Sequence, residues 1–441
     1  MHVGAPLLAE LALLSALAVL GDPATRPLLT VALLLGATAA MLLLARAASR
    51  VALPAAAVLA AALLLRLVLL PLPPTLSSDV WRYLWEGRVA AAGGNPYATA
   101  PADPALAPLR DAGWQRVEHR EVPAAYPPLA MTAMSVVARL RPPLRLLAWK
   151  LLVVAADILA CWLLLRLARA AGRPPSRVVW YAANPLVALE TAGMAHLEPL
   201  GVAAALAAGL AVMRRDALVG GLTAAAAALA KLAPVVAWPM WARQSGRPAA
   251  FLLSAALVTA VGLAPVFAST GGMPPGLAAY AMRWEFAGPL HEPLWRLLAA
   301  VDAPASVKHA LDLMKQWTHV YEPFNRFYPF VYPQLLARLL LGVAGLAVIA
   351  RSLAWREPLA GAAALFGALL LLSPTLYPWY LLWVLPWAAL AGQRRWLWAS
   401  AAAPLAYLPA AAGIEWWPWL HLVTWTPFLL LWWRDRKCAG V

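Results

Sequence analysis

Only 12% of this 441-residue chain is charged, about half the fraction of an ordinary soluble protein. That scarcity excludes a water-soluble globular domain. Cysteine is nearly absent as well, with Cys161 inside an apolar run and Cys438 near the C-terminus. Two thiols so placed give no disulfide framework, and no Cys/His spacing suggests structural zinc. Acids are outnumbered 20 to 35 by Lys and Arg, a formal charge of +15. The basic residues nevertheless form no patch or stripe, so nucleic acid is not the expected partner. They fall in short clusters between apolar runs, the pattern of orientation signals on a membrane protein. No inverted or parallel repeat relates the two halves, which counts weakly against a transporter.

What is present is apolar: 63% of the residues are hydrophobic. Hydrophobic segments fall at about 6–20, 28–44, 51–72, 146–167, 178–191, 198–213, 217–230, 232–242, 249–267, 333–350, 358–373, 376–391, 396–411 and 419–433. Several are shorter than the roughly 17 residues that cross a bilayer unaided. The expectation is an all-α, polytopic transmembrane bundle of about 12–14 segments, forming one domain over residues 1–441. The first segment, Pro6 to Leu20, has the length of a signal-peptide core but no basic region before it, so it reads as a retained helix.

Short basic connections set the orientation. Arg46 and Arg50, Arg166 to Arg177, Arg214 and Arg215, Arg243 and Arg247, Arg351 and Arg356, Arg394 and Arg395, and the terminal RDRKC all share one face if both termini are cytoplasmic. This requires residues 127–140, "PPLAMTAMSVVARL", to be an interfacial or re-entrant helix rather than a crossing. Beyond an N-terminal helix pair (1–50), two long segments then lie outside, 73–145 and 268–332, both rich in Trp, Tyr, Pro and charge. Loops longer than about 15 residues in a compact protein are usually functional. Any chemistry is expected on the outer face.

The stretch 72–97, "LPPTLSSDVWRYLWEGRVAAAGGNPY", follows directly on an apolar run. Ser77, Ser78 and Asp79 are all good N-caps, and Trp81, Leu84, Trp85 and Val89 fall on one helical face. Arg82 and Glu86 stand at i, i+4 on the other side, and Gly93, Gly94 and Pro96 end the helix. An amphipathic helix in the headgroup region follows, anchored by tryptophan. Asp79 is then either its cap or a functional acid.

This stretch with "VPAAYPPLA", which carries Tyr126, resembles the first outer loop of the GT-C superfamily of integral-membrane glycosyltransferases. It is most similar to bacterial mannosyltransferase-like members that use polyprenyl-phosphate sugars. "VVWYAANPLVALETAGMAHLEPLG", "GGLTAAAAALAKLAPVVAWP" and "LLSPTLYPWYLLWVLP" resemble three later motifs of that superfamily, in order. The resemblance covers about residues 50–395 and implies that Asp79 is the general base on an acceptor hydroxyl, with inversion at the anomeric carbon. A carboxylate partly desolvated at the membrane edge suits that task. It places Glu198 and His196 at the same site, Glu198 standing where similar members more often have Asp. It also places Lys231 at the turn of a broken helix pair, and Tyr377 where a His is often seen.

The donor phosphate needs a cation. Lys231 and Arg66 are membrane-edge candidates whose alternative is snorkelling. In the second long segment Arg326, just before a helix, is the preferred phosphate ligand. Arg82, Glu86 and Tyr126 complete the expected substrate contacts. With one phosphate to neutralise, no cofactor is expected, a divalent metal being possible but not favoured. Asp157 reads as a buried, hydrogen-bonded acid within the membrane.

Taken together, these features imply a membrane glycosyltransferase moving a hexose, mannose by resemblance, from a polyprenyl-phosphate donor to a lipid-linked or cell-envelope glycan. Its expected surroundings are the lipids of a bacterial inner membrane. The alternative is a transporter or flippase of lipid-linked sugars, which asks for charges along a path through the bilayer. A non-catalytic assembly partner with an enzyme-like fold is a third reading, and would tolerate loss of Asp79.

Overall fold

The computed structural model describes residues 3–438, with side chains to Asp435. Among the described residues the chain is helix and loop, apart from isolated bridges that pair Phe286 and Ala287 with Thr375. At the N-terminus α1 (Gly4–Val19) packs on both α2 (Pro27–Ala48) and α3 (Ala55–Leu69). Leu14, Leu17, Leu34, Met41 and Leu65 form their buried contact. Between α1 and α2, Asp22 accepts from the Ala24 amide at 2.9 Å, and Pro27 opens α2 where no amide donor is needed.

The first long segment holds α4 (Asp79–Ala91) and α5 (Pro128–Ala138), and runs into α6 (Pro142–Ala170). Helix α5 is the stretch expected to be interfacial or re-entrant, and it packs against α4. The two backbones meet at Gly87, where any Cβ would lie 2.4 Å from the Met134 carbonyl oxygen. A side chain there would force the helices apart.

After α6 the run 178–191 is not one helix. It breaks into α7 (Val179–Ala182), α8 (Pro185–Ala188) and a wide turn over Leu189–Gly193. Pro185 removes a donor, and Asn184 takes over the end by accepting from the Leu186 amide at 3.0 Å. Then come α9 (Glu198–Met213) and α10 (Ala217–Ala230). Lys231, extended at φ −160°, separates α10 from a tight turn and α11 (Trp238–Gln244), the broken pair expected from the sequence.

Helix α12 (Pro248–Thr270) leads to the second long segment, with α13 (Pro275–Arg283), α14 (His291–Ala300), α15 (Ala303–Thr318) and α16 (Glu322–Phe327). Helices α17 (Pro333–Ser352) and α18 (Pro358–Leu372) follow. Prolines fragment what remains: a turn over Pro378–Trp383, α19 (Leu385–Ala391), α20 (Arg394–Ala402), α21 (Leu408–Ala412) and α22 (His421–Cys438).

Helices α2, α6, α12 and α17 are long and apolar enough to cross a membrane. On α12 and α17 the apolar side chains point outward: Leu253, Leu257, Val343 and Leu346 are all exposed. A soluble protein does not display such a surface, but lipid covers it. The chain is an all-α polytopic bundle whose breaks gather around one cavity.

Candidate active site

The cavity has a volume of about 750 Å³ and is walled by α4, the stretch 116–127, the Lys231 turn, α13 and the turn after α18. Asp79 opens α4 and faces it. Ser78 holds the cap position without a side-chain bond, and Ser77 Oγ accepts from the Asp79 amide at 3.2 Å. The Asp79 carboxylate therefore does not cap its helix. Instead Oδ2 accepts from the Tyr83 hydroxyl at 3.3 Å and lies 3.9 Å from His196 Nε2. Its side chain is 31% exposed, onto the cavity it lines. Burial raises its pKa above the ordinary carboxylate value, opposed chiefly by the nearby His196 and Lys231. A base that holds its proton more tightly is a stronger acceptor of an alcohol proton.

His196 is wholly buried behind Asp79. Nε2 lies 3.1 Å from Ser77 Oγ, and Nδ1 lies 3.0 Å from Glu190 Oε2. Its amide donates to the Glu190 carbonyl at 2.9 Å. Ala195, at φ +62°, and the wide turn before it aim the ring toward α4. Trp149 Nε1 holds the Ala195 carbonyl at 2.9 Å. Burial pushes the imidazole down to about 4, so it is neutral at pH 7.

Lys231 lines the cavity with its ammonium 4.2 Å from the centre of the Tyr380 ring and paired to Glu198. Glu198 is fully buried at the first turn of α9. The acid thus holds the lysine rather than facing the cavity itself. Tyr380 in turn shares a 2.6 Å hydrogen bond with Tyr280 of α13, tying the second long segment to the lysine wall.

Tyr377 also lines the cavity, but both of its faces are taken. Phe286 stacks on one side at 4.6 Å and Trp379 on the other at 4.6 Å, and Trp379 continues onto His196 at 3.8 Å. Tyr377 can meet a substrate only by its edge and hydroxyl. Tyr126 is at the wall, edge-on to Tyr83 at 5.1 Å.

Four expected contacts are engaged with protein instead. Arg82 lines the cavity but spends all five donors on protein: Glu86, and the carbonyls of Glu118, His119, Val122 and Pro123. It is a clamp on the stretch 118–123, and Glu86 is buried beneath it. Burial pushes Glu86 up to about 7 against the pull of Arg82. Arg66 is fully buried in α3, bonded to Asp157 at 2.8 Å and to the Ala62 and Ala182 carbonyls. Asp157 also accepts from the Tyr181 hydroxyl at 2.7 Å. Arg66 and Asp157 thus pair with each other inside the bundle rather than at the cavity. Arg326 lies on the exposed α16, paired with Glu322 at 3.1 Å and outside the cavity wall.

Sequence reading missed Glu190 and Tyr407. The Tyr407 hydroxyl donates to Glu190 Oε1 at 2.5 Å, behind His196. Glu190 looked like one polar residue in an apolar run, and only the wide turn brings it to the histidine. Among the described residues no three His, Cys, Asp or Glu side chains group as metal ligands.

The fold and the site together define an integral-membrane protein in which an acid and an anchored lysine share one cavity, with a buried histidine behind the acid. Its residues 2–245 match the family described as alpha-(1->6)-mannopyranosyltransferase, N-terminal domain, and the chain belongs to that family. It is 26% identical to a probable alpha-(1->6)-mannopyranosyltransferase of Mycolicibacterium smegmatis, and 27% identical to alpha-(1->6)-mannopyranosyltransferase A of Mycobacterium tuberculosis. Each match covers 73% of this chain and 63% of the relative, so the chain spans less than two thirds of their length. No solved structure matches. The matches agree with the GT-C resemblance of the four motifs.

Proposed function

We propose that this protein transfers mannose from a polyprenyl-phosphate donor to a lipid-linked or cell-envelope glycan acceptor. The reaction takes place on the outer face of a bacterial inner membrane, with both termini cytoplasmic. The observation that carries this reading is Asp79: an uncapped carboxylate, raised in pKa, facing the same cavity as Lys231. Family membership supports the sugar, since both relatives are named mannopyranosyltransferases. The amphipathic donor supports the location, because its sugar must meet water while its tail stays in lipid.

In this mechanism the Asp79 carboxylate takes the proton of the acceptor hydroxyl. The acceptor oxygen forms the new bond to the anomeric carbon, and the bond from that carbon to the phosphate oxygen breaks with its electron pair. Direct displacement by one base inverts the anomeric centre. Lys231, held by Glu198, keeps further N–H donors for the departing phosphate. No metal is required by this scheme.

The test is transfer of radiolabelled mannose from polyprenyl-phosphate mannose in membranes containing wild type or Lys231→Met, with and without EDTA. Transfer by wild type that EDTA leaves intact and Lys231→Met reduces at least tenfold supports the reading. Equal transfer by both removes Lys231 from the phosphate site, and loss with EDTA brings in a metal.

A further inference from the structure

Two carboxylates line the cavity among the described residues, Asp79 and Glu118, and the transfer scheme uses only the first. The Glu118 side chain is exposed, with no hydrogen bond or ion pair to the protein. Its backbone, by contrast, is pinned. Arg82 Nη1 donates to the Glu118 and His119 carbonyls at 3.2 and 3.0 Å. The Val122 amide donates to the His119 carbonyl at 3.0 Å, and the Ala102 amide to the Arg120 carbonyl at 2.8 Å. His119 bends the chain at φ +49°, and its ring meets Trp284 of the second long segment edge-on at 4.7 Å. A carboxylate so held has its position set and its acceptors unspent, the arrangement a ligand needs.

The surroundings of Glu118 name the ligand's chemistry. Trp81 and Arg116 share the adjoining wall, with the guanidinium 4.5 Å from the ring centre and bonded to nothing else among the described residues. Trp284 and Tyr377 line the same cavity. A sugar presents hydroxyls that donate to a carboxylate and accept from a guanidinium, while its C–H faces lie against aromatic rings. Tyr377 is within electrostatic reach of both acids, whereas Glu118 is not among the charges that act most strongly on Asp79. The two carboxylates are therefore not a pair. One is left to take a proton and the other to hold a sugar.

We propose that Glu118 is a specificity-determining residue for the acceptor, binding hydroxyls of its terminal sugar at the rim formed with Trp81, Arg116 and Trp284. This deepens the proposed function and rests on it for the reaction served. In a direct displacement the incoming hydroxyl and the departing phosphate lie on opposite faces of the anomeric carbon. Lys231 takes the phosphate, so the acceptor reaches Asp79 from the side away from the lysine. The exposed stretch 116–119 supplies that side, and its carboxylate favours a neutral sugar over an anionic one.

Two arms test this in the full-length protein in a zwitterionic detergent. In the first, polyprenyl-phosphate mannose is the donor and octyl α-mannoside the acceptor, with wild type, Glu118→Gln and Glu121→Gln compared. Glu118→Gln is expected to raise the acceptor KM at least about tenfold while kcat and the donor KM move by less than about threefold, the pattern of lost hydrogen bonds to a bound sugar. Glu121 lies on the same stretch but outside the cavity wall, its carboxylate 3.8 Å from His119. Glu121→Gln is expected to keep the acceptor KM within about twofold of wild type. An unchanged acceptor KM in Glu118→Gln, or a fall in kcat alone, overturns the proposal.

The second arm needs no transfer. Binding of octyl α-mannoside and of octyl α-mannuronide, its C6 carboxylate, is measured by calorimetry without donor. Glu118→Gln is expected to shift the ratio of the two affinities toward the carboxylate by at least about fivefold, because a like charge near the ligand is removed. A merely structural role weakens both ligands alike. Equal weakening, or no saturable binding of the neutral sugar to wild type, overturns the proposal. If wild type binds the sugar but transfers no mannose, the proposed function fails, and the binding arm alone decides the subsite.

Discussion

The buried carboxylate of Glu198 holds the Lys231 ammonium at the point where α10 stops and the chain turns into α11. One residue of the pair is wholly buried while the other is 23% exposed and reaches the cavity. The acid is a support and the lysine is the working end.

Removing the support should therefore damage both stability and function. Glu198→Ala leaves a mostly buried ammonium without its partner, at a cost of up to about 3 kcal/mol, the low end for a broken buried pair because Lys231 keeps some water. The double variant Glu198→Gln/Lys231→Met is expected to recover most of the apparent melting midpoint and none of the transfer. Thermal unfolding in detergent, read beside the transfer assay, checks both halves.

The raised pKa of Asp79 fixes the sign of a pH dependence. The base works only when ionised, so transfer falls as pH falls through its raised value. The acid limb of kcat/KM is expected clearly above the roughly 3.9 of an unperturbed aspartate. A pH–rate profile of wild type is the measurement, and a limb at or below 4 contradicts the burial argument.

Arg82 is expected to matter as a clamp. Arg82→Lys keeps the charge but cannot reproduce a fork that bonds Glu86 and four carbonyls together. The stretch 116–123 loosens, and trypsin cuts at Arg116 or Arg120 at least several-fold faster than in wild type. The same digestion of Arg326→Ala should show no change there.

Arg326 gives the converse case. Its ion pair with Glu322 is exposed on both sides and contributes less than about 1 kcal/mol. Arg326→Ala is expected to keep transfer within about twofold of wild type, where Lys231→Met loses at least tenfold. Parallel initial rates at equal protein level decide between them.

Much of the fold was legible because bilayer chemistry leaves a coarse mark. The runs 28–44, 146–167, 249–267 and 333–350 appear as α2, α6, α12 and α17 with ends shifted by a few residues. The runs 178–191, 376–391 and 396–411 read as helices and are broken, since Asn184–Pro185, Pro378 and Pro404 act locally while hydropathy averages over them. At the site, Asp79, Lys231, Tyr126 and Tyr377 come together at one cavity, from stretches far apart in the chain. Arg66 was ambiguous for a physical reason: a membrane arginine pairs with whichever anion is near, and Asp157 on α6 could not be placed beside it from spacing. Arg326 drew attention by its aromatic neighbours, which proved to be an exposed helix surface. Glu190 was invisible because its partner His196 meets it only through a wide turn and a positive φ at Ala195.

The most direct test of the account is mannose transfer from polyprenyl-phosphate mannose by wild type and Asp79→Asn, purified at equal level and shown to melt alike. The account expects transfer by wild type and a loss of at least a hundredfold in the variant, the order of a missing general base. Equal rates in the two proteins would contradict it, because the carboxylate facing the cavity would then carry no proton in the reaction.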